Sequence, residues 1–385
     1  MKNRYLIIAL LVSLILAACH KEDDLIKEPK VTEKSLEVLA TQVTFNWTVD
    51  WPGKLNSVVE LSENADMSAS RYFGSEAETE SHEFSATATG LEAHVKYYYR
   101  YVVWNRNYEN DKFLMEIRDI TLLEGVATGV FSVSASEQVY FSQGNLQYRA
   151  SDGKWRFAEQ QYDCIGSANS NVSSSYSGWI DLFGWGTSGW NSGANCYQPW
   201  STSVECEDYY PGGSYTNSLT GSCANADWGV YNAISNGGNH AGIWRTLTKD
   251  EWVYVFDTRN TASGIRYAKA CVNSRNGVIL LPDDWSANYY SLNSTNTSSV
   301  DFTSNTISAS QWTTLEQHGA VFLPTAGYRD GTSVYGVGSN GYYWSASYSR
   351  IYVAYDMWFA GLDLVLQYDD LRYDGLSVRL VCSAQ

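Results

Sequence analysis

The chain is predicted to be mainly β, with an α+β carboxyl-terminal domain, on the strength of three observations. Apolar and polar residues alternate over Leu36–Val49, as they do in a strand with one buried face. An aromatic run follows at Lys96–Trp104, and short strand-like motifs recur from residue 126 onward. Only one segment has a strong helix signal, where Thr248 and Glu251 have capping-box spacing. With 385 residues the chain is long enough for two or three domains.

The charge balance of the chain argues against binding to nucleic acid. It has 26 Lys and Arg residues against 42 Asp and Glu, a formal net charge of -16, so a phosphate backbone would repel it. Aromatic residues make up 15% of the chain and only 6 residues are Pro, a composition typical of folded domains. We therefore expect a folded protein with no nucleic-acid partner.

The first residues predict an export signal and a lipid anchor. Lys2 and Arg4 precede an apolar run, residues 5–18, that is too short to span a bilayer, and residues 1–18 have the pattern of a signal peptide. The Leu-Ala-Ala-Cys sequence that ends at Cys19 resembles the lipobox of bacterial lipoproteins, which implies that the Cys19 thiol is acylated. The alternative is an ordinary cleavage site at which this Cys is incidental.

Residues 19–30 are predicted to form a short polar tether next to the membrane. The acidic residues just after Cys19 resemble the signal that sends lipoproteins to the outer cell face in the Bacteroides group. A solvated run of charges beside an anchor is the alternative interpretation. The expected location is the bacterial outer membrane, with the protein lipid-anchored and exposed at the cell surface.

Residues 31–123 have the pattern of a β-sandwich, because short strands follow one another without a helical period. Trp47 lies on the second predicted strand, and Leu91 and Tyr97 are six residues apart. In these residues the segment resembles a fibronectin type III domain, although Ala and Val replace the Pro and Thr between the last two. The resemblance implies a core Trp and a tyrosine corner in a module that is usually a spacer.

Residues 126–385 carry several short motifs in a fixed order. WRTLTKDEW (Trp244–Trp252) precedes YYWSAS (Tyr342–Ser347), and GLSVRLV (Gly375–Val381) comes last. This series resembles the C-type-lectin-like fold of formylglycine-generating-type proteins and of the variable proteins of diversity-generating retroelements. The resemblance implies an α+β domain whose last hairpin carries the binding surface. Elsewhere we expect Trp and Tyr side chains to order long irregular loops.

Three functions occur on this scaffold, and the fold alone does not choose among them. Formylglycine-generating activity needs two nearby thiolates to hold copper, and no close late Cys pair is present. Calcium-dependent sugar binding needs oxygen-ligand triplets that are missing, so Asp283 and Asp284 beside Trp285 are expected to be turn or capping residues. The five His residues lack zinc-binding spacing. We therefore expect neither enzymatic activity nor a cofactor or metal site.

Six Cys residues remain after the anchor, and the sequence does not choose among their disulfide connectivities. They are Cys164, Cys196, Cys206, Cys223, Cys271 and Cys382. The preferred pair is Cys196 and Cys206, which are closest in the sequence.

The third function is ligand binding by a hypervariable last hairpin, and residues 347–375 have the expected composition. In the retroelement families, adenine-directed mutagenesis rewrites the Asn codons AAC and AAT into codons that never encode Trp, Met, Gln, Glu or Lys. The segment has no Lys, Glu or Asn, although Asn is frequent before it. Met357, Trp358 and Gln367 cannot arise from such codons, so we expect them to be fixed framework residues.

Tyr and Asp side chains give this segment the composition of a paratope, in which rigid rings alternate with small polar groups. Alternation around Trp344, Phe359 and Val378 predicts that these three face the core and that the Tyr and Asp side chains, Asp374 included, face solvent. Arg350 is expected to pair with a ligand carboxylate; an Asp of the same hairpin is the alternative. The predicted ligand-binding residues are Tyr348, Arg350, Tyr352, Tyr355, Asp356, Asp363, Tyr368, Asp369, Asp370 and Tyr373.

These observations predict a cell-surface lipoprotein that binds an extracellular protein or glycan through a retroelement-diversified surface, as an adhesin or receptor. A non-diversified adhesin or binding paralogue of the same fold is the alternative, because Tyr and Asp also abound in ordinary loops of this fold. An enzyme of the formylglycine-generating type is the least favoured reading.

Overall fold

The computed structural model describes residues 28–38, 42–92, 95–106, 112–122 and 124–384. The predicted signal peptide, Cys19 and the first part of the tether lie outside these residues. The chain divides into two compact units, Met1–Leu122 and Leu123–Gln385. In the described part of the chain, no helix has the length and apolar character needed to cross a membrane.

The described residues of the first unit contain eight strands in two antiparallel sheets. The strands are β1 (Lys30–Val38), β2 (Gln42–Asp50), β3 (Asn56–Ser62), β4 (Arg71–Phe73), β5 (Glu83–Thr89), β6 (Lys96–Trp104), β7 (Phe113–Leu114) and β8 (Arg118–Thr121). One sheet has the order β1-β2-β5, and the other has the order β4-β3-β6-β7 with β8 also paired to β6. The larger of two hydrophobic clusters among the described residues of this unit contains side chains from both sheets.

The three residues that the sequence singles out in this unit are core residues. Trp47 lies on β2, and its indole Nε1 donates a hydrogen bond to the Ser57 hydroxyl at 2.8 Å. Leu91 and Tyr97 are also buried. The backbone N–H of Glu92 donates to the Tyr97 hydroxyl at 2.8 Å, which ties the ring to the chain just ahead of its strand.

The second unit is built from short strands in five sheets and a few short helices. The strands are β9 (Val126–Ser132), β10 (Gln138–Ser142), β11 (Leu146–Arg149), β12 (Lys154–Phe157), β13 (Arg245–Thr246), β14 (Tyr267–Val272), β15 (Arg275–Leu280), β16 (Thr306–Ile307), β17 (Val321–Pro324), β18 (Tyr328–Asp330), β19 (Ser333–Tyr335), β20 (Gly341–Arg350), β21 (Val353–Phe359), β22 (Leu364–Leu371) and β23 (Leu380–Ser383). The sheet orders are β13-β23-β10-β9, β11-β12, β16-β14-β15-β17, β18-β19 and β20-β21-β22. The α-helices are α1 (Trp228–Tyr231), α2 (Lys249–Val253) and α3 (Ala309–Gln317). The prediction of a mainly β protein is therefore confirmed.

The helix predicted from the capping box is present. The Thr248 hydroxyl accepts from the Glu251 N–H, and the Glu251 carboxylate accepts from the Thr248 N–H at 2.7 Å. Helix α2 continues into a turn of π-helix, Tyr254–Thr258. It carries Trp252 into the core, where the indole is fully buried and lies 6.0 Å from the Phe141 ring.

The expectation of one strong helix was wrong, because α3 is longer than α2. Ser308 and Gln311 form a second capping box at its start. Only Trp312 and Leu315 of α3 are buried, so its apolar face is narrow. That narrow face explains why hydrophobic periodicity gave no signal.

Aromatic side chains order the long irregular region between β12 and β13, as predicted. Residues 158–244 are all described, and they contain short helical turns but no strand. The Trp185 Nε1 donates to the Ser345 carbonyl at 2.9 Å, and the Trp244 Nε1 donates to the Gly237 carbonyl at 2.8 Å. Indoles therefore supply both buried area and hydrogen bonds where backbone pairing is sparse.

The six described Cys residues are free thiols, so the preferred pair of Cys196 and Cys206 is not bonded. Cys196 lies instead beside the hydroxyl of the buried Tyr209. The Cys206 thiol is buried against the chain at Arg372.

Candidate ligand-binding surface

The predicted variable segment folds into an antiparallel sheet with the order β20-β21-β22. Alternate residues of this sheet face two different cores of the second unit. Tyr343, Met357 and Phe359 belong to one core, and Trp344 and Ala354 belong to the other. The sheet therefore has a buried base, and only its two ends and part of each face can meet solvent.

The burial that alternation predicted for three framework residues is confirmed. Trp344, Phe359 and Val378 are fully buried. Met357, one of the three residues that retroelement codons cannot produce, is also fully buried, whereas Trp358 is partly buried and Gln367 is exposed.

Strand β20 is fixed to the rest of the unit by backbone hydrogen bonds. The Ala346 N–H donates to the Leu247 carbonyl at 2.8 Å, and its carbonyl accepts from the Leu219 N–H at 2.8 Å. The Trp344 Nε1 donates to the Phe183 carbonyl at 2.7 Å. These bonds hold the strand in place before it reaches the exposed turn.

Exposed apolar side chains are concentrated on this sheet. Of 17 exposed large hydrophobic side chains among the described residues, seven lie between residues 348 and 371. They are Tyr348, Ile351, Tyr352, Leu362, Val365, Tyr368 and Leu371. Such a concentration of exposed apolar side chains is typical of an interaction surface.

An open depression of about 480 Å³ lies near the turn between β20 and β21. We call it the hairpin groove, and its lining residues are Ser349, Arg350, Tyr355, Gln367, Tyr368 and Asp369. The Asp369 carboxylate accepts from the Ser349 hydroxyl at 2.8 Å and pairs with Arg350 at 3.2 Å. The Lys249 ammonium lies 5.1 Å from the centre of the Tyr355 ring.

Arg350 makes the contact that was the alternative in its prediction, an ion pair with an Asp of the same hairpin. We expected this guanidinium to meet a ligand carboxylate, but it already has a partner in Asp369 of the same hairpin. The side chain of Arg350 is 72% exposed, so water screens this pair and its energy is small.

Five aromatic rings form a continuous line across β19, β18, β20, β21 and β22. We call it the aromatic row, and its members in order are Tyr335, Tyr328, Tyr342, Trp358 and Tyr368. Successive ring centres are 5.5, 5.4, 6.3 and 5.3 Å apart. The end members, Tyr335 and Tyr368, are exposed, and the middle members are partly buried. Tyr368 belongs to both the row and the hairpin groove.

Asp356 does not face solvent, contrary to the prediction. Its side chain is only 1% exposed, because the central strand β21 turns it to the same side as the buried Ala354. Burial and the neighbouring Asp370 raise the pKa of Asp356 well above its ordinary value. Neither of its carboxyl oxygens has a hydrogen-bond partner among the described residues.

Asp370 and Asp374 are also less exposed than predicted. Burial and the neighbouring Asp369 raise the pKa of Asp370 to about 6. Burial, followed by Asp370 and Asp330, raises the pKa of Asp374 to about 7. The aromatic row is therefore accompanied by a cluster of carboxyl groups that are hard to ionise.

The remaining predicted residues do not form one face. Tyr348 and Tyr352 are exposed at the β20–β21 turn, whereas the exposed Asp363 lies at the opposite turn, between β21 and β22. The Lys269 ammonium holds that second turn by donating to several backbone carbonyls, including the Asp363 carbonyl at 2.9 Å. Tyr373 follows β22 and is partly buried near Asp374.

The structure brings together residues that sequence reasoning missed. Tyr328 and Tyr335 form a cross-strand pair between β18 and β19, and Tyr342 continues the line from β20. The only local signal was the high frequency of Tyr from residue 328 onward, which does not show that these rings meet. Ser349 and Gln367 complete the hairpin groove.

The chemistry of this surface suits recognition. It offers aromatic faces, exposed aliphatic groups and carboxyl groups. Among the described residues, no three His, Cys, Asp or Glu side chains are placed so that they could hold a metal ion.

Comparison with known proteins does not assign the chain to a family. No family model matches it, and no curated protein sequence matches it significantly. What the structure defines is a mainly β protein of two units, the second of which carries an aromatic and acidic surface on its last three-stranded sheet.

Proposed function

We propose that this protein is a lipid-anchored cell-surface receptor or adhesin of bacteria, which binds an extracellular ligand through the last sheet of its second unit. The observation that carries the proposal is the concentration of exposed Tyr and aliphatic side chains on a sheet whose base is fully buried. Aromatic side chains have few rotatable bonds, so exposed rings offer a ligand a large contact area at a low cost in conformational entropy. Because the base of the sheet is buried, we expect the exposed residues to tolerate substitution without unfolding of the sheet.

The proposed architecture is a fibronectin type III-like spacer followed by a C-type-lectin-like head. Support for the spacer comes from buried Trp47 and from the bond between the Glu92 N–H and the Tyr97 hydroxyl, which has the form of a tyrosine corner. Support for the head comes from the capping box at Thr248 and from the last sheet, which follows the motif order given above.

Retroelement diversification is the first candidate for how this surface arose. The buried Met357 suits a codon that mutagenesis leaves alone. The buried Asp356 does not suit a variable position, so we remove it from the proposed variable set. A reverse-transcriptase gene beside this gene, with a near-copy of its 3′ end that differs at adenines, would establish diversification; a neighbourhood without either favours the non-diversified adhesin.

The proposed surface is tested with two libraries of the full chain displayed on yeast. The first randomises Tyr348, Tyr352, Tyr355 and Tyr368. The control randomises four exposed side chains elsewhere in the second unit, Val204, Tyr215, Tyr231 and Tyr289. Both libraries are selected for binding to hen lysozyme and to streptavidin.

We expect the first library to keep melting temperatures within a few degrees of the parent and to yield binders that the control library does not. Tyr355→Ala and Tyr368→Ala should likewise melt near the parent, because neither side chain is fully buried. If most members of the first library fail to fold, or if both libraries yield binders equally, the proposed surface is wrong.

A further inference from the structure

We propose that the partner of this surface is a protein that presents a basic side chain, an arginine guanidinium or a lysine ammonium, to Asp370 beside the aromatic row. This inference rests on the proposed function and specifies the chemistry of its ligand. It separates a basic protein partner from a neutral glycan, which the proposed function leaves open.

The aromatic row supplies faces that attract cations. The Trp358 and Tyr368 rings are 5.3 Å apart with an angle of 35° between their planes, and Tyr342 lies 6.3 Å beyond Trp358. The face of an aromatic ring carries the negative part of its quadrupole, so a cation over the ring is stabilised. Tyr368 is 39% exposed, so a ligand side chain can reach this end of the row.

Carboxyl oxygens beside the row lack partners. Asp356 pairs with Tyr368 across the ladder and Asp370 pairs with Ala354, so all four side chains are on one face of the sheet. Both oxygens of Asp356 and the Oδ2 of Asp370 have no hydrogen-bond partner among the described residues. Asp356 is 1% exposed, and a buried acceptor left without a donor is costly. Asp356 is too deeply buried to meet a ligand directly, whereas Asp370 is only partly buried, so its carboxyl group is the one that a donor from a ligand can approach.

Among the described residues, no basic side chain forms a salt bridge with Asp356 or Asp370, and the buried Arg329 acts on Asp374, where its positive charge opposes the rise in pKa. Arg350 pairs with Asp369. The Arg372 guanidinium lies over the rings of Trp185 and Tyr210, at 4.5 and 5.1 Å, and its Nη2 donates to the Tyr215 carbonyl. None of the salt bridges between described residues involves Asp356, Asp370 or Asp374. A cation from a partner would supply the missing charge.

Ionisation of Asp370 links cation binding to pH. Burial and Asp369 raise its pKa to about 6, so part of the population is protonated in mildly acidic solution. The titratable groups that face this carboxyl are Tyr328, Tyr342, Asp356, Tyr368, Asp369 and Asp374. They are acids or phenols, so a bound cation should displace the proton and should bind more tightly as the pH rises from 5 to 7.

A neutral glycan fits these observations less well. A sugar could stack on Tyr368 and donate hydroxyl protons, but it would leave the carboxylate charges uncompensated. A basic protein is also attracted from a distance by the net charge of -16.

The proposal is tested by isothermal titration of tri-arginine amide into the full chain at pH 5 and pH 7. The variants are Asp370→Asn and Tyr368→Leu, and Asp284→Asn is the control, because Asp284 is an exposed carboxylate in the same unit. We expect one site on the parent, at least tenfold weaker binding to both variants, and less than a twofold change for the control. Binding to the parent should tighten by severalfold between pH 5 and pH 7 and should release protons.

Equal weakening by Asp370→Asn and Asp284→Asn would show diffuse attraction and would overturn the proposal. Binding of chitotriose but not of tri-arginine amide would also overturn it in favour of a glycan. If Asp370→Asn does not fold, the Tyr368→Leu result decides, since that ring is partly exposed. If tri-arginine amide does not bind but the display library still yields binders, only the proposal of a basic partner fails. If the library yields no binders, the proposed function itself is contradicted.

Discussion

Large aromatic side chains fix the second unit at individual positions. Trp252 contacts the rings of Phe141, Phe256 and Tyr343, with centres 6.0 to 6.5 Å apart, and its Nε1 lies 3.4 Å from the Trp344 carbonyl. It thus joins helix α2 to strand β20 at the base of the proposed surface. Trp252 therefore contributes to stability through the fit of its ring against its neighbours as well as through the apolar area that it buries.

Trp252→Ala should destabilise the protein by about 3 to 5 kcal/mol, because it leaves a cavity that the surrounding rings cannot fill. The free energy of unfolding is measured by urea denaturation. Tyr231→Ala is the control, since that side chain is 42% exposed and should change stability by less than about 1 kcal/mol. A Trp252→Ala protein as stable as its parent would mean that the core is not packed around this indole.

The sheet β20-β21-β22 combines a rigid base with an electrostatically unfavourable face. Asp356 and Asp370 lie on its aromatic side without a basic partner among the described residues. Their folded-state pKa values lie above the ordinary value for Asp, so ionisation reduces the stability of the folded state. A surface with uncompensated carboxylates is suited to binding, because a ligand that brings a positive charge lowers this electrostatic cost.

Asp370→Asn should make the protein more stable at pH 8 and should have little effect at pH 4. The pKa of Asp370 is raised to about 6 from an ordinary value of 3.8. The contribution of protonated Asp370 to the stability of the parent is therefore fully present below about pH 4 and is lost as the pH rises through 6. The gain at pH 8 should be on the order of 1 to 3 kcal/mol.

Thermal melts of both proteins between pH 4 and pH 8 measure this difference. Asp284→Asn is again the control, and its difference from the parent should be nearly independent of pH. A difference for Asp370→Asn that grows toward acid pH would have the wrong sign and would show that this carboxylate has a partner.

The chain as a whole combines an acidic surface with an expected membrane anchor. The net charge of -16 disfavours direct adsorption to anionic lipid, so the membrane attachment that we propose depends on the acyl chains expected at Cys19. The same charge disfavours self-association through the exposed aromatic surface, because copies of the protein repel one another.

Cys19→Ser should abolish incorporation of radiolabelled palmitate and should release the protein from the membrane fraction. Cys164→Ser is the control, because it removes a thiol in the second unit and should leave labelling unchanged. Expression in a bacterium with lipoprotein processing and fractionation of its membranes measure both effects. A Cys19→Ser protein that is still labelled would contradict the lipobox interpretation.

Local patterns predicted the parts of the structure that depend on neighbouring residues. The capping box at Thr248 and Glu251 formed because both of its hydrogen bonds join residues three apart. The alternating strand β2 has Trp47 on its buried face for the same reason. Burial of Trp344 and Phe359 also followed from alternation.

Alternation did not predict the burial of Asp356, because this residue shares a face with Ala354 and both faces of the sheet meet a core. The strands are also irregular. The ladder between β20 and β21 shifts register between Trp344 and Tyr348, and that between β21 and β22 shifts between Asp356 and Trp358. An irregularity changes which residues share a face, and the sequence around it has no signal strong enough to reveal it. Four predicted site residues line the hairpin groove, Arg350, Tyr355, Tyr368 and Asp369. Asp356 lies opposite Tyr368 but is buried, and Asp363 lies at the opposite turn.

The sequence alone was enough for the mainly β character, the start of helix α2 and the Tyr-rich composition of the last sheet, since each depends on residues close together in the chain. Only the tertiary structure decided that Tyr335 and Tyr368 are the two ends of one aromatic row, and that Asp356 and Asp370 lie beside it without partners. Those features depend on the pairing of distant strands. The free energy of such pairing is determined by the whole core and not by any local pattern.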